Sequence, residues 1–373
     1  MIKGMNISVI GGGIAGMAAA LACAQRGAVV TVYEQAKHLS EVGAGLQIGP
    51  NGVAVLDALG LREGAMRHAS APLAVEMRDL NSARRIWNIP MGDTAVSRWG
   101  YPYWQFHRAD LLQILVDAAE KAGVYMRLGE RVTAPDADLV IAADGVRSET
   151  RQRLFGGQVH FANQVAWRGI VKRDDPVQFP TQIWMGAGRH LVTYPLRGGR
   201  EINFVAVKER EHWTEEGWNI PGDPDALRDA FAGAAQPVQD LLSMVDNTFL
   251  WGLFAHPPLD TWISGNTVLI GDAAHPMTPF MAQGAVMGLE DAWVLADCLN
   301  AEGLAGLQRF ESLRKPRATR VQQVAARNAA IYHMQGPARY VLHAGMWGSA
   351  KAMPKLPHRM FDWLYGTDVT TKR

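Results

Sequence analysis

Three glycines near the start of the sequence, and an acidic residue after them, have the types and spacing that bind a dinucleotide. Gly11, Gly13 and Gly16 form a Gly-x-Gly-x-x-Gly pattern, and Glu34 follows Gly16 by 18 residues. In this pattern the first glycine permits a tight turn, the second lets the backbone approach a pyrophosphate, and the third lets a helix pack on a strand. A carboxylate at Glu34 would accept hydrogen bonds from an adenosine ribose. The spacing predicts dinucleotide binding and leaves FAD and NAD both open.

The segments around these glycines are the elements that must position them. Residues 7–10 have the pattern of a buried strand, residues 17–26 that of a helix, and residues 29–33 that of a second strand. The N-terminus of such a helix offers free N–H groups and a partial positive charge to phosphates. The segment therefore predicts a Rossmann-like β-α-β unit.

Two later strand-like segments end in aspartate. Residues 138–143 lead into Asp144, and residues 267–271 lead into Asp272. In parallel sheets the carboxyl ends of the strands open into the ligand crevice. Each segment alone also fits an ordinary turn, because Asp-Gly and Gly-Asp pairs are common turn formers. Together with the glycine pattern, they predict one shared crevice.

Composition narrows the classes of protein that fit. The 373 residues suggest two or three domains, and 37 basic against 36 acidic residues give a net charge of +1. That balance argues against a nucleic-acid-binding protein. The two cysteines, Cys23 and Cys298, lie in apolar helix-like runs, which favours a cytoplasmic protein over a disulfide-stapled secreted one. We find no apolar run long enough for a transmembrane segment.

Several short motifs follow one another in a fixed order along the chain. They are Gly11–Gly16 with Glu34, Gly43–Asn51, His107–Leu111, Asp144–Ser148, Tyr194–Gly199, Gly271–Pro276, Ala282–Gly284 with Glu290–Ala292, and Asp362–Gly366. In their residue types and their order, these motifs resemble those of the group A FAD-dependent aromatic hydroxylases. Within that family, they resemble the branch of salicylate hydroxylase, 3-hydroxybenzoate 6-hydroxylase and 6-hydroxynicotinate 3-monooxygenase. The resemblance implies an α/β fold in which a Rossmann-like FAD-binding domain is interleaved with a β-sheet substrate domain, as in p-hydroxybenzoate hydroxylase, followed by C-terminal helices.

The order of the motifs also predicts where the domains lie. Alternating patterns at Ala74–Pro90 and Trp167–Val207 predict one sheet, inserted between the motif-bearing segments. We expect a discontinuous FAD-binding domain and a substrate domain, with a helical end that covers the FAD-binding domain or contacts a second copy in a homodimer. The predicted limits are 1–73, 97–160 and 251–334 for FAD binding, 74–96 and 161–250 for substrate binding, and 335–373 for the helical segment.

The resemblance assigns roles to individual residues toward FAD. Glu34 would hold the adenosine ribose, Arg108 would lie along the flavin chain, Asp144 would lie near the pyrophosphate, and Asp272 would bind a ribityl hydroxyl. The full predicted set is Gly11, Gly13, Ile14, Ala15, Gly16, Glu34, Gln47, Arg108, Asp144, Arg147, Asp272, Pro279, Gln283, Gly284 and Ala285.

Gln283 and Gly284 precede a helix that the sequence predicts over residues 285–299. The resemblance places both residues against the isoalloxazine ring. A helix N-terminus there would stabilise the negative charge of reduced flavin.

The predicted substrate site rests on two residues of the inserted sheet. His190 and Tyr194 are four apart, and residues four apart in a strand face the same side. Nothing local distinguishes His190 from a structural histidine, but the resemblance implies that the pair flanks a phenol, with His190 taking its proton. Tyr194 would orient the base or the substrate, and Gln283 would anchor a ring substituent. Gln47 is either a further site residue or a loop amide bonded to backbone.

The resemblance implies a single-component monooxygenase that hydroxylates a small phenolic or hydroxy-heteroaromatic acid. It would use bound FAD, NADH or NADPH, and O2, through a hydroperoxide at flavin C4a. The sequence lacks the motifs of zinc enzymes, serine hydrolases and NTPases, so we predict no metal. Two alternatives stay open: a decarboxylating salicylate-type hydroxylase, and a flavin-binding redox protein or regulator without hydroxylase turnover. No arginine stands out as a partner for a substrate carboxylate.

Overall fold

The computed structural model describes residues 2–39, 45–157, 160–213 and 220–371. Gly43 and Ala44 of the predicted motif at 43–51 lie outside these ranges. The strands, in chain order, are β1 (Asn6–Ile10), β2 (Val29–Glu34), β3 (Gly45–Ile48), β4 (Ala74–Asp79), β5 (Arg85–Pro90), β6 (Trp104–His107), β7 (Tyr125–Leu128), β8 (Leu139–Ala142), β9 (His160–Lys172), β10 (Thr181–Gly186), β11 (Arg189–Leu196), β12 (Glu201–Glu209), β13 (Ile220–Gly222), β14 (Thr248–Ala255), β15 (Ile263–Ser264) and β16 (Thr267–Leu269).

The helices are interspersed among these strands until residue 269 and then follow one another to the end of the described chain. They are α1 (Ile14–Ala24), α2 (Pro50–Ala58), α3 (Arg62–His68), α4 (Asp93–Trp99), α5 (Arg108–Lys121), α6 (Glu149–Phe155), α7 (Pro224–Ala230), α8 (Gln236–Ser243), α9 (Gly284–Glu302), α10 (Gly306–Tyr332), α11 (Gly336–Ala352), α12 (Leu356–Arg359) and α13 (Asp362–Tyr365). None of these helices is both long and apolar enough to cross a membrane.

The first sheet has the order β15-β16-β8-β1-β2-β7. Strands β16, β8, β1, β2 and β7 run parallel, and β15 is antiparallel to β16. Their carboxyl ends therefore meet at one edge of the sheet. This confirms the prediction that the segments before Gly11, Asp144 and Asp272 belong to one parallel sheet.

Helix α1 lies close to this sheet and to helix α9 because its residues are small. Its residues from Gly16 to Cys23 are all buried. At the closest approach, a Cβ added to Gly288 of α9 would come within 2.8 Å of the Cβ of Ala15. The alanine-rich sequence of α1 thus sets how near α9 lies to the glycine-rich turn.

The second sheet has the order β13-β14-β9-β12-β11-β10-β4-β5. It joins residues 74–90 to residues 160–255, which confirms the prediction of one inserted sheet. Strand β14 continues to Ala255, across the predicted domain limit between residues 250 and 251. The division of the chain into domains stays a prediction.

A network of buried charges joins α9 to α10 and to the turn after β16. Arg314 donates to Asp291 (2.7 Å) and to Glu290 (2.5 Å), and all three side chains are at most 1% exposed. Asp291 also accepts from His275 (2.5 Å) and from the N–H of Gly271 (2.9 Å). The turn that carries Asp272 is therefore held directly by the first half of α9.

Two further residues extend this network to other helices. Glu290 binds Arg317 with two hydrogen bonds, at 2.6 and 2.8 Å, and Arg317 in turn donates to the carbonyls of Trp363 and Leu364. Asn51 of α2 donates to Glu290 at 2.7 Å. The buried charges thus also tie α2 and the C-terminal helix α13 to α9.

The pKa values of the two carboxyls show that their charges are stabilised. Burial alone would raise the pKa of Asp291, but His275 and Arg314 hold it well below its usual range. The pKa of Glu290 is likewise lowered, by Arg314 and Arg317 against the effect of burial. Because both carboxyls titrate at lower pH in the folded chain than in the unfolded one, they stabilise the fold above about pH 4 and lose that contribution as pH falls further.

Replacing Arg314 with methionine should strongly destabilise the protein, because two buried carboxylates would lose a shared cation. We expect the free energy of unfolding to fall by about 3–5 kcal/mol in urea titrations. Arg309→Met is the matched control, since Arg309 lies on the same helix in an exposed pair with Glu302 at 2.7 Å. It should leave stability nearly unchanged. Equal stability of the two variants would contradict the role of the network.

Candidate active site

A cavity of about 560 Å³ opens at the carboxyl edge of the parallel sheet. It brings together residues that the sequence analysis selected from distant segments. Those that line it are Gly11, Gly13, Glu34, Arg108, Asp144, Arg147 and Asp272. Glu130, Arg131 and Arg168 also line it and were not predicted. The crevice expected from the strand-end motifs is therefore present.

The three glycines of the motif meet different surroundings, as their predicted roles require. A Cβ at Gly16 would come within 2.0 Å of the carbonyl oxygen of Gly11, and one at Gly11 within 2.5 Å of the carbonyl oxygen of Ala143. Gly11 also has a φ of +103°, which side chains rarely allow. A Cβ at Gly13, in contrast, would meet no atom within 4 Å. Gly11 and Gly16 permit close packing, while Gly13 leaves room for a ligand, as a dinucleotide pyrophosphate requires.

Glu34 lies at the end of β2, where the carboxylate can face a ribose. Its two oxygens accept hydrogen bonds from the N–H groups of Gly12 and Ala36, each at 2.8 Å. These bonds fix the carboxylate beside the glycine turn. The position agrees with the predicted contact to adenosine ribose.

Asp144 organises the turn after β8. Its carboxylate accepts from the hydroxyl of Ser148 (2.5 Å) and from the N–H of Thr150 (3.1 Å), and Ser148 in turn caps α6 by accepting from Arg151. Arg147, on the same turn, places its guanidinium 5.6 Å from the ring centroid of Phe254. The turn is thereby held at the cavity wall.

Asp272 and Arg108 both line the large cavity. The Asp272 side chain is exposed to the cavity yet lies deep in the protein, and this burial raises the pKa of its carboxyl. Attraction to His275 and Arg108 opposes the rise. An acceptor at this depth suits a hydroxyl of a ribityl chain.

A second, smaller cavity of about 70 Å³ lies between the second sheet and the turn that precedes α9. Its lining is largely apolar, and no Lys, Arg, Asp or Glu occurs among the described residues that form it. The polar members are Gln47, Tyr103, His190, Asn328, Tyr332 and Tyr365. Pro279, predicted to lie near flavin, is among the apolar ones.

His190 is the titratable base of this small cavity. It is only 2% exposed, and its ring lies 5.1 Å from that of Phe280 and 5.4 Å from that of Tyr332. Burial and the neighbouring His333 lower the pKa of His190 well below its usual value. The imidazole is therefore neutral at neutral pH, and one of its ring nitrogens carries no proton.

Gln47, on strand β3, lines the same cavity as His190. Its carbonyl oxygen accepts a hydrogen bond from the Tyr103 hydroxyl at 2.6 Å, which leaves the amide N–H groups for a ligand. Burial raises the pKa of Tyr103 well above its usual value, so this donor stays protonated. Of the two readings of Gln47, the structure supports the cavity residue.

Two predicted residues do not line the small cavity. Tyr194 lies on the same strand as His190, four residues further along, and is absent from the described residues that line the small cavity. Its hydroxyl instead lies against β3, where a Cβ at Gly45 would come within 2.6 Å of it. Gln283 turns inward and accepts from Asn51 at 3.1 Å. That Tyr194 and His190 share one substrate pocket therefore stays a prediction.

The start of α9 lies between the two cavities. The helix begins at Gly284 without a side-chain cap or an acidic residue in its first turn. A Cβ at Gly284 would lie 3.7 Å from an Asp272 oxygen, and Ala282, just before the helix, lines the small cavity. Ala282 also has a φ of +50°, which is strained for a residue with a side chain. The helix N-terminus, with Ala285 in its first turn, is thus directed to where the flavin ring is predicted.

Several supporting residues escaped the sequence analysis. Arg151 holds the turn after β16 by donating to the carbonyls of Ala273 and Ala274, at 3.1 and 2.9 Å. His333 and Arg314 lie far from their partners in sequence. The sequence did indicate that some cation was needed, because the adjacent acids Glu290 and Asp291 lie in an apolar helix and must be paired when buried. It did not indicate that this cation is Arg314. For Arg151 and His333 no local pattern was available.

Comparisons with known proteins agree with this geometry. Residues 136–327 match the family described as FAD binding domain, and residues 9–50 match the NAD(P)-binding Rossmann-like domain. The chain is 34% identical to 3-amino-4-hydroxybenzoate 2-monooxygenase PtnB3 of Streptomyces platensis, over 98% of this chain and 96% of that protein. It is 32% identical to 3-hydroxybenzoate 6-hydroxylase of Polaromonas naphthalenivorans, with the same coverage.

A solved structure shows the same fold along nearly the whole chain. Klebsiella pneumoniae HpxO, crystallised with FAD and uric acid, superposes with a TM-score of 0.82 at 27% identity, over 97% of this chain and 96% of that one. The glycine spacing left FAD and NAD both open as the bound dinucleotide, and the match to the FAD binding domain favours FAD. The chain therefore belongs to the FAD-dependent aromatic-ring monooxygenases.

Proposed function

We propose that this chain hydroxylates a small phenolic or hydroxy-heteroaromatic carboxylic acid, using NAD(P)H and O2. The observation that carries the proposal is a buried, neutral histidine in a small apolar cavity beside the turn that leads from Asp272 to α9. Relatives that act on 3-amino-4-hydroxybenzoate and 3-hydroxybenzoate support the substrate class, because both substrates carry a phenol and a carboxylate.

The residues of the two cavities have separate tasks. When bound, reduced FAD activates dioxygen and supplies an electrophilic oxygen atom to the aromatic ring. The glycine turn, Glu34, Asp144 and Asp272 hold the cofactor, while the apolar lining of the small cavity limits the access of water. The small volume argues against a bulky substrate.

His190 would act as the base that activates the ring. The phenol O–H bond breaks as a proton moves to Nε2 of His190, and the resulting phenolate is a stronger nucleophile toward electrophilic oxygen. Nδ1 of His190 contacts His333 at 2.7 Å, so Nε2 is the ring nitrogen left for a ligand. The base is thus directed to the ligand and not to a structural contact.

The substrate carboxylate would be bound by neutral donors. The small cavity offers no cation among its described residues, but it offers the amide N–H groups of Gln47 and the hydroxyl of Tyr332. Burial raises the pKa of Tyr332, so its hydroxyl remains a donor. Hydrogen bonds from such groups to a carboxylate are worth about 1.5–3 kcal/mol each.

The substrate class can be tested with a panel of phenolic and hydroxypyridine carboxylic acids. We expect one or more of these acids to accelerate NADH oxidation strongly and to yield a product heavier by one oxygen atom. A product that has lost CO2 would instead indicate a decarboxylating hydroxylase. Oxidation of NADH at the same rate with every acid, and no product, would favour a flavin protein without turnover.

Replacing His190 with asparagine should separate oxygen activation from hydroxylation. We expect the variant to bind FAD and to oxidise NADH, but hydroxylated product should fall by about a hundredfold as peroxide rises, because the phenol keeps its proton. His68→Asn, at an exposed histidine of α3, is the control and should leave product and peroxide unchanged. Normal coupling in His190→Asn would exclude the role as base.

Replacing Gln47 with methionine keeps the volume of the side chain and removes its amide. We expect KM for the carboxylated substrate to rise by about tenfold with a smaller change in kcat, because one donor to the carboxylate is lost. The corresponding substrate without a carboxylate should show no such rise. An equal rise for both substrates would contradict carboxylate binding by Gln47.

Replacing Gly16 with alanine should weaken FAD binding, because the new methyl group would lie within 2.0 Å of the Gly11 carbonyl and would displace the turn. We expect the affinity for FAD, measured by titration of the apoprotein, to fall by about tenfold or more. Gly64→Ala is the matched control: it lies in α3, and its nearest neighbouring atom would be 3.7 Å away. Unchanged FAD affinity in Gly16→Ala would show that the turn does not hold the cofactor.

A further inference from the structure

Three titratable side chains form a line from the small cavity to the protein surface. Nδ1 of His190 lies 2.7 Å from Nε2 of His333, and Nδ1 of His333 lies 3.2 Å from an oxygen of Glu209. The His333 side chain is 2% exposed, whereas that of Glu209 is 46% exposed. The line therefore begins at a buried base and ends at a carboxylate in contact with solvent.

The backbone holds the three residues in register. His333 directly follows α10, and its carbonyl accepts from the N–H of Gly188 at 3.0 Å, in the turn between β10 and β11. The carbonyl of Gly188 in turn accepts from the N–H of Glu209, the last residue of β12, at 2.9 Å. One hairpin turn thus fixes His333 and Glu209 next to the strand that carries His190.

The Glu209 carboxylate, at the surface end of the line, determines which ring nitrogens of His333 and His190 carry protons. An ionised carboxylate is only an acceptor, so Nδ1 of His333 must donate to Glu209. Nε2 of a neutral His333 is then an acceptor, and Nδ1 of His190 must donate to it. The remaining nitrogen of His190, Nε2, therefore has its lone pair free for the cavity.

The described side chains around His190, His333 and Glu209 add no further charge to the line. Tyr332 and Phe280 pack against the His190 ring, and burial raises the pKa of the Tyr332 hydroxyl, so it stays neutral. Burial lowers the pKa of His333, and Glu209 opposes that effect. Gln335 lies 3.4 Å from the second oxygen of Glu209 and adds no charge.

We propose that Glu209 and His333 are positioning residues that hold His190 in the tautomer able to accept the substrate proton, and that they conduct this proton to solvent. This proposal rests on the proposed role of His190 as base. The phenol O–H bond breaks as Nε2–H of His190 forms, and Nδ1–H of His190 breaks as Nε2–H of His333 forms. Nδ1–H of His333 then breaks as the proton reaches the Glu209 carboxylate. No electrons are transferred, and the substrate remains as phenolate.

The tautomer can be measured directly by NMR of the FAD-loaded enzyme labelled with ¹⁵N-histidine, without substrate. His190→Asn identifies the His190 signals by their loss. In the wild type we expect His190 to carry its proton on Nδ1. Glu209→Ala should shift His190 toward a mixture of tautomers, and Glu209→Gln, which can still accept a hydrogen bond, should do so less.

Steady-state hydroxylation provides the second readout. We expect Glu209→Ala to lower kcat by about tenfold with KM nearly unchanged, since only proton transfer is affected. Glu211→Ala is the matched control, because Glu211 is an exposed carboxylate two residues away. It should leave the tautomer and kcat unchanged. Glu209 is partly exposed, so these variants avoid the core substitution that His333 would require.

Different outcomes test the relay, meaning the proton path through His190, His333 and Glu209, and the role of His190 as base. A wild-type His190 protonated on Nε2, or a Glu209→Ala variant with unchanged tautomer and kcat, would overturn the relay. If the His190→Asn variant still couples NADH oxidation fully to hydroxylation, His190 is not the base. If Glu209→Ala nevertheless alters the tautomer of His190, Glu209 still determines that tautomer. A change in both readouts for Glu209→Ala, with none for Glu211→Ala, supports the relay.

Discussion

The buried charges between α9 and α10 are the interaction on which the rest of the site depends. Glu290 and Asp291 lie side by side in an apolar helix, where an unpaired carboxylate would be very costly. Their partners come from three other places in the fold: Arg314 and Arg317 from α10, Asn51 from α2, and the turn at 271–275. Because the pairs have directional geometry, they fix α9 relative to that turn. The turn carries Asp272, and the segment from it to α9 carries Pro279 and Ala282.

This one fixed segment connects two cavities with opposite chemistry. The larger cavity is lined by backbone, carboxylates and arginines, as suits a dinucleotide with phosphates and sugars. The smaller one is apolar apart from a few neutral donors and one histidine. An aromatic substrate ring bound in the smaller cavity would lie beside a neutral histidine. In these apolar surroundings, the proton affinity of that histidine depends on its hydrogen-bond partners. In the proposed function, the larger cavity would bind the cofactor and the smaller one would control the substrate proton, and α9 begins between them.

The similarity to aromatic hydroxylases covers nearly the whole chain, but the proton path that we propose uses residues that no motif contains. His333 directly follows α10 and Glu209 ends β12, so they come from two different parts of the chain. Along the proposed path, a base in an apolar cavity would exchange a proton with solvent without opening of the cavity. The hairpin turn at Gly188 holds His333 and Glu209 next to the strand that carries His190.

The sequence alone determined the features that arise from local geometry. The glycine spacing, Glu34, Asp144 and Asp272 were predictable because each follows a strand whose parallel neighbours end at the same edge, and the Cβ distances at Gly11 and Gly16 explain why glycine is required. Strand alternation placed His190 and Tyr194 on one face of the inserted sheet, but could not tell that the Tyr194 hydroxyl would lie beside Gly45 of β3. The partners of His190, Asp291 and the turn after β16 depend on contacts across more than 100 residues or between separate helices. Such contacts follow from how the two sheets and α9 pack together, so only the tertiary structure decided them.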